Sequence, residues 1–202
     1  MKVAVLASGA GTNLQALLDH VHGRDGVEVV AVASDKPRAR ALDRARDAGV
    51  PFAVFPAAEF GGRRARDASM AAWLADHGTE LVVLAGYMQL LSPEFLDRFQ
   101  RGVINVHPAL LPAFPGLHAV EQALEYGVKV FGVTVHFVDD GVDTGRVILQ
   151  RAVELPDARS ADEVMRRLQP IEHELLPEAV MLIAAGAVRA EPGDSRRVVV
   201  ER

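Results

Sequence analysis

Asn105 and His107 lie two residues apart in the run Val103-Ile104-Asn105-Val106-His107-Pro108. The flanking apolar residues predict a strand, and side chains two apart on a strand point to the same side. Pro108 biases His107 towards an extended backbone and ends the ladder there. An amide donor and an imidazole would then emerge together at a strand end, where open parallel sheets hold their ligands. Asparagine can donate to a developing oxyanion, and histidine can give or take a proton near neutral pH. Singly, each is more often a structural hydrogen-bonding group. Together, as polar residues breaking an apolar strand, they favour function. Downstream, Asp139-Asp140-Gly141-Val142-Asp143-Thr144-Gly145 supplies a second charged group. Asp139 and Asp140 read as a solvated hairpin turn, and the acid spacing of a calcium loop is missing. Asp143, if close to His107, would favour the protonated imidazole.

A second chemical signal is Ser8-Gly9-Ala10-Gly11-Thr12-Asn13, between an apolar run and a helical stretch. Glycines permit a tight turn, and the helix start offers N–H groups and a positive dipole end to an anion. A phosphate or a dinucleotide pyrophosphate would suit it, and so would no ligand at all, with Thr12 or Asn13 as cap. The full dinucleotide fingerprint asks for Gly or Ala where Leu14 stands, although Asp35 falls near the position of a ribose-binding acid. Among the remaining histidines, His136 is expected to pack or hydrogen-bond in a sheet. His118 would line a pocket or cap a helix, and His20, His22 and His77 read as surface residues at helix ends. Trp73 reads as core.

Positioning such groups calls for alternating strands and helices, and short apolar runs do recur between amphipathic stretches. Strands are predicted at Val3–Ala7, Val27–Ala33, Pro51–Phe55, Leu81–Ala85 and Val103–Val106. Helices are predicted at Thr12–Val21, Arg38–Ala48 and Arg63–His77, the last from the helical spacing of Ala65, Ala68, Ala71, Ala72 and Leu74. Ser92-Pro93-Glu94 looks like a helix start with serine as cap. The β-branched runs Val128–Val138 and Val147–Val153 should pair across the Asp139–Gly145 turn. Ser160-Ala161-Asp162-Glu163 fits a capping box opening a long helix that ends near Gly186, and Val198–Val200 reads as an edge strand. The fold class expected is α/β: a single domain with a mostly parallel twisted sheet and helices on both faces, Rossmann-like.

The 202 residues suffice for one substantial core. A formal net charge of −5 offers no general attraction to nucleic acid or anionic membrane. No cysteine is present, which excludes disulfides, thiolate zinc sites and cysteine nucleophiles. The first apolar run is too short for a signal peptide, and no stretch reaches the roughly 18–20 apolar residues of a membrane span. A cytoplasmic location is expected.

The chain resembles the folate-dependent formyltransferases, in particular their glycinamide ribonucleotide branch, over nearly its whole length. The resemblance rests on Ser8-Gly9-Ala10-Gly11-Thr12-Asn13-Leu14-Gln15, on Ala85-Gly86-Tyr87-Met88, on Asn105-Val106-His107-Pro108-Ala109-Leu110-Leu111-Pro112 and on Asp143. The stretch Phe114-Pro115-Gly116-Leu117-His118 favours the same branch. It implies 10-formyltetrahydrofolate as co-substrate, the amine of phosphoribosyl glycinamide as acceptor, and no metal. Asn105, His107 and Asp143 would be catalytic. Gly11, Thr12 and Asn13 would hold the acceptor phosphate, and Glu172 would meet the acceptor end of the site. Arg63, Met88, Gln89, Leu90 and Leu91, with Asn105, would line the folate side. The resemblance also implies one formyltransferase domain over 1–202, with residues 1–100 as the phosphate-binding half and 101–202 as the folate and catalytic half. Partners would be small molecules, without nucleic acid or membrane, and no oligomeric state is implied. Two departures stand out: Gln89 where bacterial relatives often carry arginine, and Ala109 where serine is common.

Three other readings compete. A nicotinamide-dependent oxidoreductase would use the glycine turn and Asp35, but Leu14 and the Asn-x-His-Pro run speak against it. A phosphosugar-binding regulatory module would leave Asn105, His107 and Asp143 unused. Within the resembling group, a deformylase that releases formate to water would need nearly the same site. A relative acting on initiator methionyl-tRNA would need a basic tRNA-binding surface that the sequence does not show.

Overall fold

Apolar β-branched runs and alanine-rich amphipathic runs alternate through the first hundred residues, and each becomes the element its period predicts. In the computed structural model, which describes residues 1–99, 102–191, 194 and 196–201, the backbone divides into two units, Met1–Asn105 and Val106–Arg202. The division expected between residues 100 and 101 falls on positions outside the described residues.

The first unit holds β1 (Lys2–Leu6), α1 (Thr12–His20), β2 (Glu28–Ser34), α2 (Arg40–Asp47), β3 (Phe52–Val54), α3 (Arg63–Asp76), β4 (Leu81–Leu84), the four-residue α4 (Pro93–Leu96) and β5 (Val103–His107), whose last two residues already belong to the second unit. The strands lie in the order β3-β2-β1-β4-β5 and pair in parallel. Strands buried on both faces need apolar residues at every position, and Val3 to Leu6 and Leu81 to Val83 are all fully buried. The chain runs from β1 outward to β3, then back past β1 to β4, and parallel crossovers favour the right hand. That reversal assigns α1 and α2 to one face and α3 to the other, and it creates a switch point between β1 and β4. Ligand crevices form at such points, outside the carboxyl ends of the strands.

The helix predicted at Arg63–His77 is α3, but the apolar spacing that marked it is not its buried face. Its buried residues are Arg66, Asp67, Met70, Ala71 and Leu74, while Ala65, Ala68 and Ala72 are exposed. An alanine gains little from burial, whereas Met70 and Leu74 gain more. Arg66 and Asp67 can follow them inward because they neutralise each other. Trp73, expected in the core, is half-buried between Phe55 and His77, with ring centroids 5.9 and 4.4 Å away. Ser92 stands at the cap position of α4 but makes no side-chain cap bond; its backbone N–H instead donates to Asp67 at 2.7 Å.

The second unit comprises α5 (Ala119–Tyr126), β6 (Val130–Phe137), β7 (Val147–Glu154), α6 (Ala161–Ala184), β8 (Val188–Ala190) and β9 (Val198–Val200). The strands β6 and β7 pair antiparallel as predicted, and α6 packs on both and on α5. Ser160 caps α6 by accepting from the Glu163 N–H at 3.2 Å. Glu163 reaches back to the Arg159 N–H at 3.0 Å, so the box closes one residue earlier than its usual form. The predicted edge strand at Val198–Val200 is β9, which pairs antiparallel with β8 in a separate two-stranded sheet. Five parallel strands and one antiparallel pair make the architecture α/β and mostly parallel, as predicted. No helix among the described residues is long and apolar enough to cross a membrane.

Candidate active site

The glycine turn leaves the carboxyl end of β1 at the switch point. The Ser8 N–H donates to the Gly86 carbonyl at 3.0 Å, which joins the ends of β1 and β4. Gly11 precedes α1 with φ +70°, a left-handed conformation that favours glycine, and no side chain caps the helix. A Cβ at Gly11 would meet the Ala41 Cα and Cβ at 2.7 and 2.8 Å. Gly11 is therefore required by the close approach of α2, so a substitution there perturbs folding as well as any ligand approach. Arg44 of α2 braces the turn, donating to the Ala10 carbonyl at 2.9 Å and to Gln15 at 2.8 Å. Thr12 opens α1, and Asn13 beside it is buried. A tight turn at a helix amino end, with a guanidinium fixed behind it, suits a phosphate.

Asp35, the residue that matched a ribose-binding acid, is 5% exposed and its carboxylate is engaged. It accepts from the Ser8 hydroxyl at 2.6 Å and from the Gln89 amide at 3.2 Å. Those bonds place Asp35 inside the protein and weaken the oxidoreductase reading. Beyond Gln89 lies Arg66, 2% exposed, which pairs with Asp67 at 2.7 Å and donates to the Gln89 side chain at 3.2 Å and the Leu90 carbonyl at 2.9 Å. Tyr87 is buried nearby, and burial pushes its phenol up to about 12 against the opposing pull of Arg66. A cavity of about 380 Å³ opens here, lined by Ala57, Gly62, Arg63, Met88, Gln89 and Leu90, with Arg66 behind them. Met88 and Leu90 are more than half exposed. Apolar side chains beside a cation fit an aromatic ligand that carries a carboxylate.

In the second unit the chemistry gathers on Asp143. A Cβ at Gly145 would run into the Phe137 carbonyl oxygen, so the turn between β6 and β7 closes tightly only with glycine there. Asp139 stays exposed and stabilises the turn by accepting from Thr144 at 2.6 Å and from the Gly141 N–H at 3.1 Å. Asp143 itself has φ +53°. Its Oδ2 accepts from the Gly116 N–H at 2.8 Å and lies 3.4 Å from His107 Nδ1, while its Oδ1 lies 3.5 Å from His136 Nε2. Burial raises the carboxyl pKa, but the His136 hydrogen bond, the Gly116 N–H and the charges of the two histidines outweigh it. The carboxyl is thus held below its usual range and stays anionic near neutral pH. His107 is 4% exposed, and its Nε2 lies 2.8 Å from the Phe114 carbonyl oxygen. Both of its ring nitrogens face oxygen acceptors.

The structure brings His107 and Asp143 together, and it places Asn105 two residues before His107 on β5. Four of the six residues expected on the folate side, Arg63, Met88, Gln89 and Leu90, line one cavity, whereas Leu91 and Asn105 do not line it. Glu172 is buried on α6. His118 stands at the cap position of α5 with an exposed side chain and no cap bond, 3.7 Å from Glu121. His136, expected to hydrogen-bond in the sheet, does so through its Nδ1 to the Phe137 carbonyl at 2.8 Å. Its approach to Asp143 was not anticipated, nor were the buried Arg66–Asp67 pair and the Ser8–Asp35 bond. The even spacing of Thr134 and His136 in an apolar strand was the only available hint of a buried polar row.

The family described as formyl transferase matches residues 1–180. The chain is 44% identical to a phosphoribosylglycinamide formyltransferase of Mycobacterium tuberculosis, over 93% of this chain and 86% of that one. It is 41% identical to the trifunctional purine biosynthetic protein adenosine-3 of Drosophila melanogaster, covering 95% of this chain and 14% of that protein, so it spans about one-seventh of that relative's length. Among solved structures, glycinamide ribonucleotide transformylase 1 from Symbiobacterium toebii superposes with a TM-score of 0.94 at 46% identity, covering 99% of this chain and 93% of that one.

Proposed function

Because the chain belongs to the formyl transferase family, we propose that it transfers a formyl group from 10-formyltetrahydrofolate to the amine of phosphoribosyl glycinamide, a cytoplasmic step of purine biosynthesis. The observation that carries this reading is the pairing of His107 with the anionic Asp143, two residues along β5 from Asn105. The Gly11–Asn13 turn takes the acceptor's phosphate, and Glu172 meets its amine end. Arg63, Met88, Gln89 and Leu90, with Leu91 and Asn105, serve the folate. Small molecules are the only partners this reading requires.

The neutral amine attacks the formyl carbon, and the carbonyl electron pair moves onto its oxygen. Asn105 donates one hydrogen bond to that oxyanion. His107 exchanges its Phe114 acceptor for the same oxygen, held in orientation by Asp143. Collapse of the tetrahedral centre breaks the bond to the folate nitrogen, which takes up a proton as the attacking amine loses one. Losing one such donor typically raises a barrier by about 2.7–4 kcal/mol.

The test is purified protein with formyl folate, assayed with and without the acceptor. Folate product is expected only when both substrates are present. Equal formate release without the amine would identify a deformylase instead, and the absence of any folate turnover would sink both readings.

A further inference from the structure

Four side chains of the first unit, Ser8, Asp35, Gln89 and Arg66, form one hydrogen-bonded chain in which the donors on both sides point towards Asp35. The Asp35 side chain is 2% exposed and can only accept. Its Oδ1 takes the Ser8 hydroxyl at 2.6 Å, and its Oδ2 takes the Gln89 Nε2 at 3.2 Å, with Lys36 Nζ 3.8 Å from the same oxygen. The Ser8 oxygen accepts the Met88 N–H at 2.9 Å. With its NH₂ committed to Asp35, Gln89 turns its carbonyl to Arg66 Nη1 at 3.2 Å, and Arg66 Nη2 holds the Leu90 carbonyl at 2.9 Å. An acceptor-only carboxylate at one end and a donor-only guanidinium at the other fix the orientation of a neutral amide that could otherwise flip. Met88, Gln89 and Leu90 form one wall of the 380 Å³ cavity, and Ser8 begins the glycine turn.

We propose that Asp35 is a positioning residue that sets the Met88–Leu90 wall for the folate, acting through Ser8 on one side and through Gln89 and Arg66 on the other. The identity of that ligand rests on the function proposed above; the positioning itself does not. Asp35→Asn keeps the size but leaves one link mismatched. If its carbonyl stays on Ser8, its NH₂ meets the Gln89 NH₂, and flipping Gln89 only moves the conflict to Arg66. If its own amide reverses, the Ser8 hydroxyl proton loses its acceptor. Asp35→Asn combined with Gln89→Glu repairs every link. The amide now at position 35 accepts from Ser8 and donates to the carboxylate now at position 89. That carboxylate accepts from Arg66 in turn, and the net charge matches the parent.

The experiment measures amide hydrogen exchange at Met88 to Leu90 together with the formyl folate KM and kcat, in the parent, both singles and the double. Asp35→Asn should speed exchange and raise the folate KM about tenfold, the size of one hydrogen bond to a charged group, with kcat within roughly threefold. The double should return the exchange rates to within about threefold of the parent, while its folate KM also carries the direct effect of a carboxylate at cavity-lining position 89. Parental exchange and KM in Asp35→Asn, or exchange effects that simply add in the double, would overturn the proposal. If Asp35→Asn does not fold, the double must fold, and its failure would equally refute it. A parent without formyl transfer would refute the function alone, since exchange and its rescue are read without turnover.

Discussion

Replacing Asp143 by asparagine separates charge from shape, because asparagine also tolerates the left-handed backbone that Asp143 adopts at φ +53°. The carboxylate faces three donors: the Gly116 N–H at 2.8 Å and the two imidazoles at 3.4 and 3.5 Å. An amide keeps one acceptor oxygen and turns an NH₂ towards whichever donor remains. Hydrogen bonds to charged groups contribute about 1.5–3 kcal/mol each at ideal distance. The two imidazole contacts are long, so a loss of about 1–3 kcal/mol is expected at pH 7, or roughly 2–4 °C in Tm per kcal/mol. The carboxyl pKa is lowered from its ordinary 3.8. Its contribution is therefore fully present above pH 3.8 and disappears as the pH falls through the lower folded value. Denaturant unfolding should show the parent and Asp143→Asn converging below that pH and standing apart above it. In the formyl-transfer assay kcat should fall on the order of 10²–10³-fold, the effect of misplacing one oxyanion donor. Because the two residues serve one task, adding His107→Ala should cost little beyond the worse single variant. A kcat within threefold of the parent, fully multiplicative losses in the double, or a stability gap equal at pH 3 and pH 7 would each refute this account of Asp143.

Asp67→Ala should destabilise the protein by about 3–5 kcal/mol in denaturant unfolding, because it strands Arg66, 2% exposed, without its counter-charge; a loss under 1 kcal/mol would show that Arg66 reaches water. Arg44→Met should raise the KM for the phosphorylated acceptor about tenfold, the size of one charge-assisted bond, and leave the folate KM unchanged. Equal changes in both constants would show that Arg44 supports the fold rather than the glycine turn.

Elements with a strong period of their own were legible in the sequence. The five parallel strands, the β6–β7 pair and the Ser160 cap all follow from spacing within a dozen residues. The places of Asn105 and His107 on β5 were legible for a similar reason, since polar side chains in an apolar strand are conspicuous. The errors came where partners are far apart in sequence. On α3 the alanines suggested one face, yet Arg66 and Asp67 went inward, because Asp67 finds the Ser92 N–H twenty-five positions away. Asp35 looked like a ligand acid because its bond to Ser8 crosses twenty-seven positions. The sheet hydrogen bond of His136 was legible, but no local pattern records that Asp143, across a tight turn, faces it as well. At the glycine turn the tight backbone was legible, but Gly11 faces Ala41 of α2 at a separation that no nearby sequence reveals.

That last contact constrains what selection can do. The obstacle to a side chain at position 11 includes the Ala41 Cα at 2.7 Å, a backbone atom. Trimming Ala41 to glycine would remove its Cβ and leave this obstacle in place. A lineage that loses Gly11 therefore has no compensating replacement available at position 41, and a revertant must either restore glycine or shift the whole of α2. In a suppressor screen started from Gly11→Ala, true reversion should dominate, with second-site changes falling at the ends and packing faces of α2 rather than at the residue in contact.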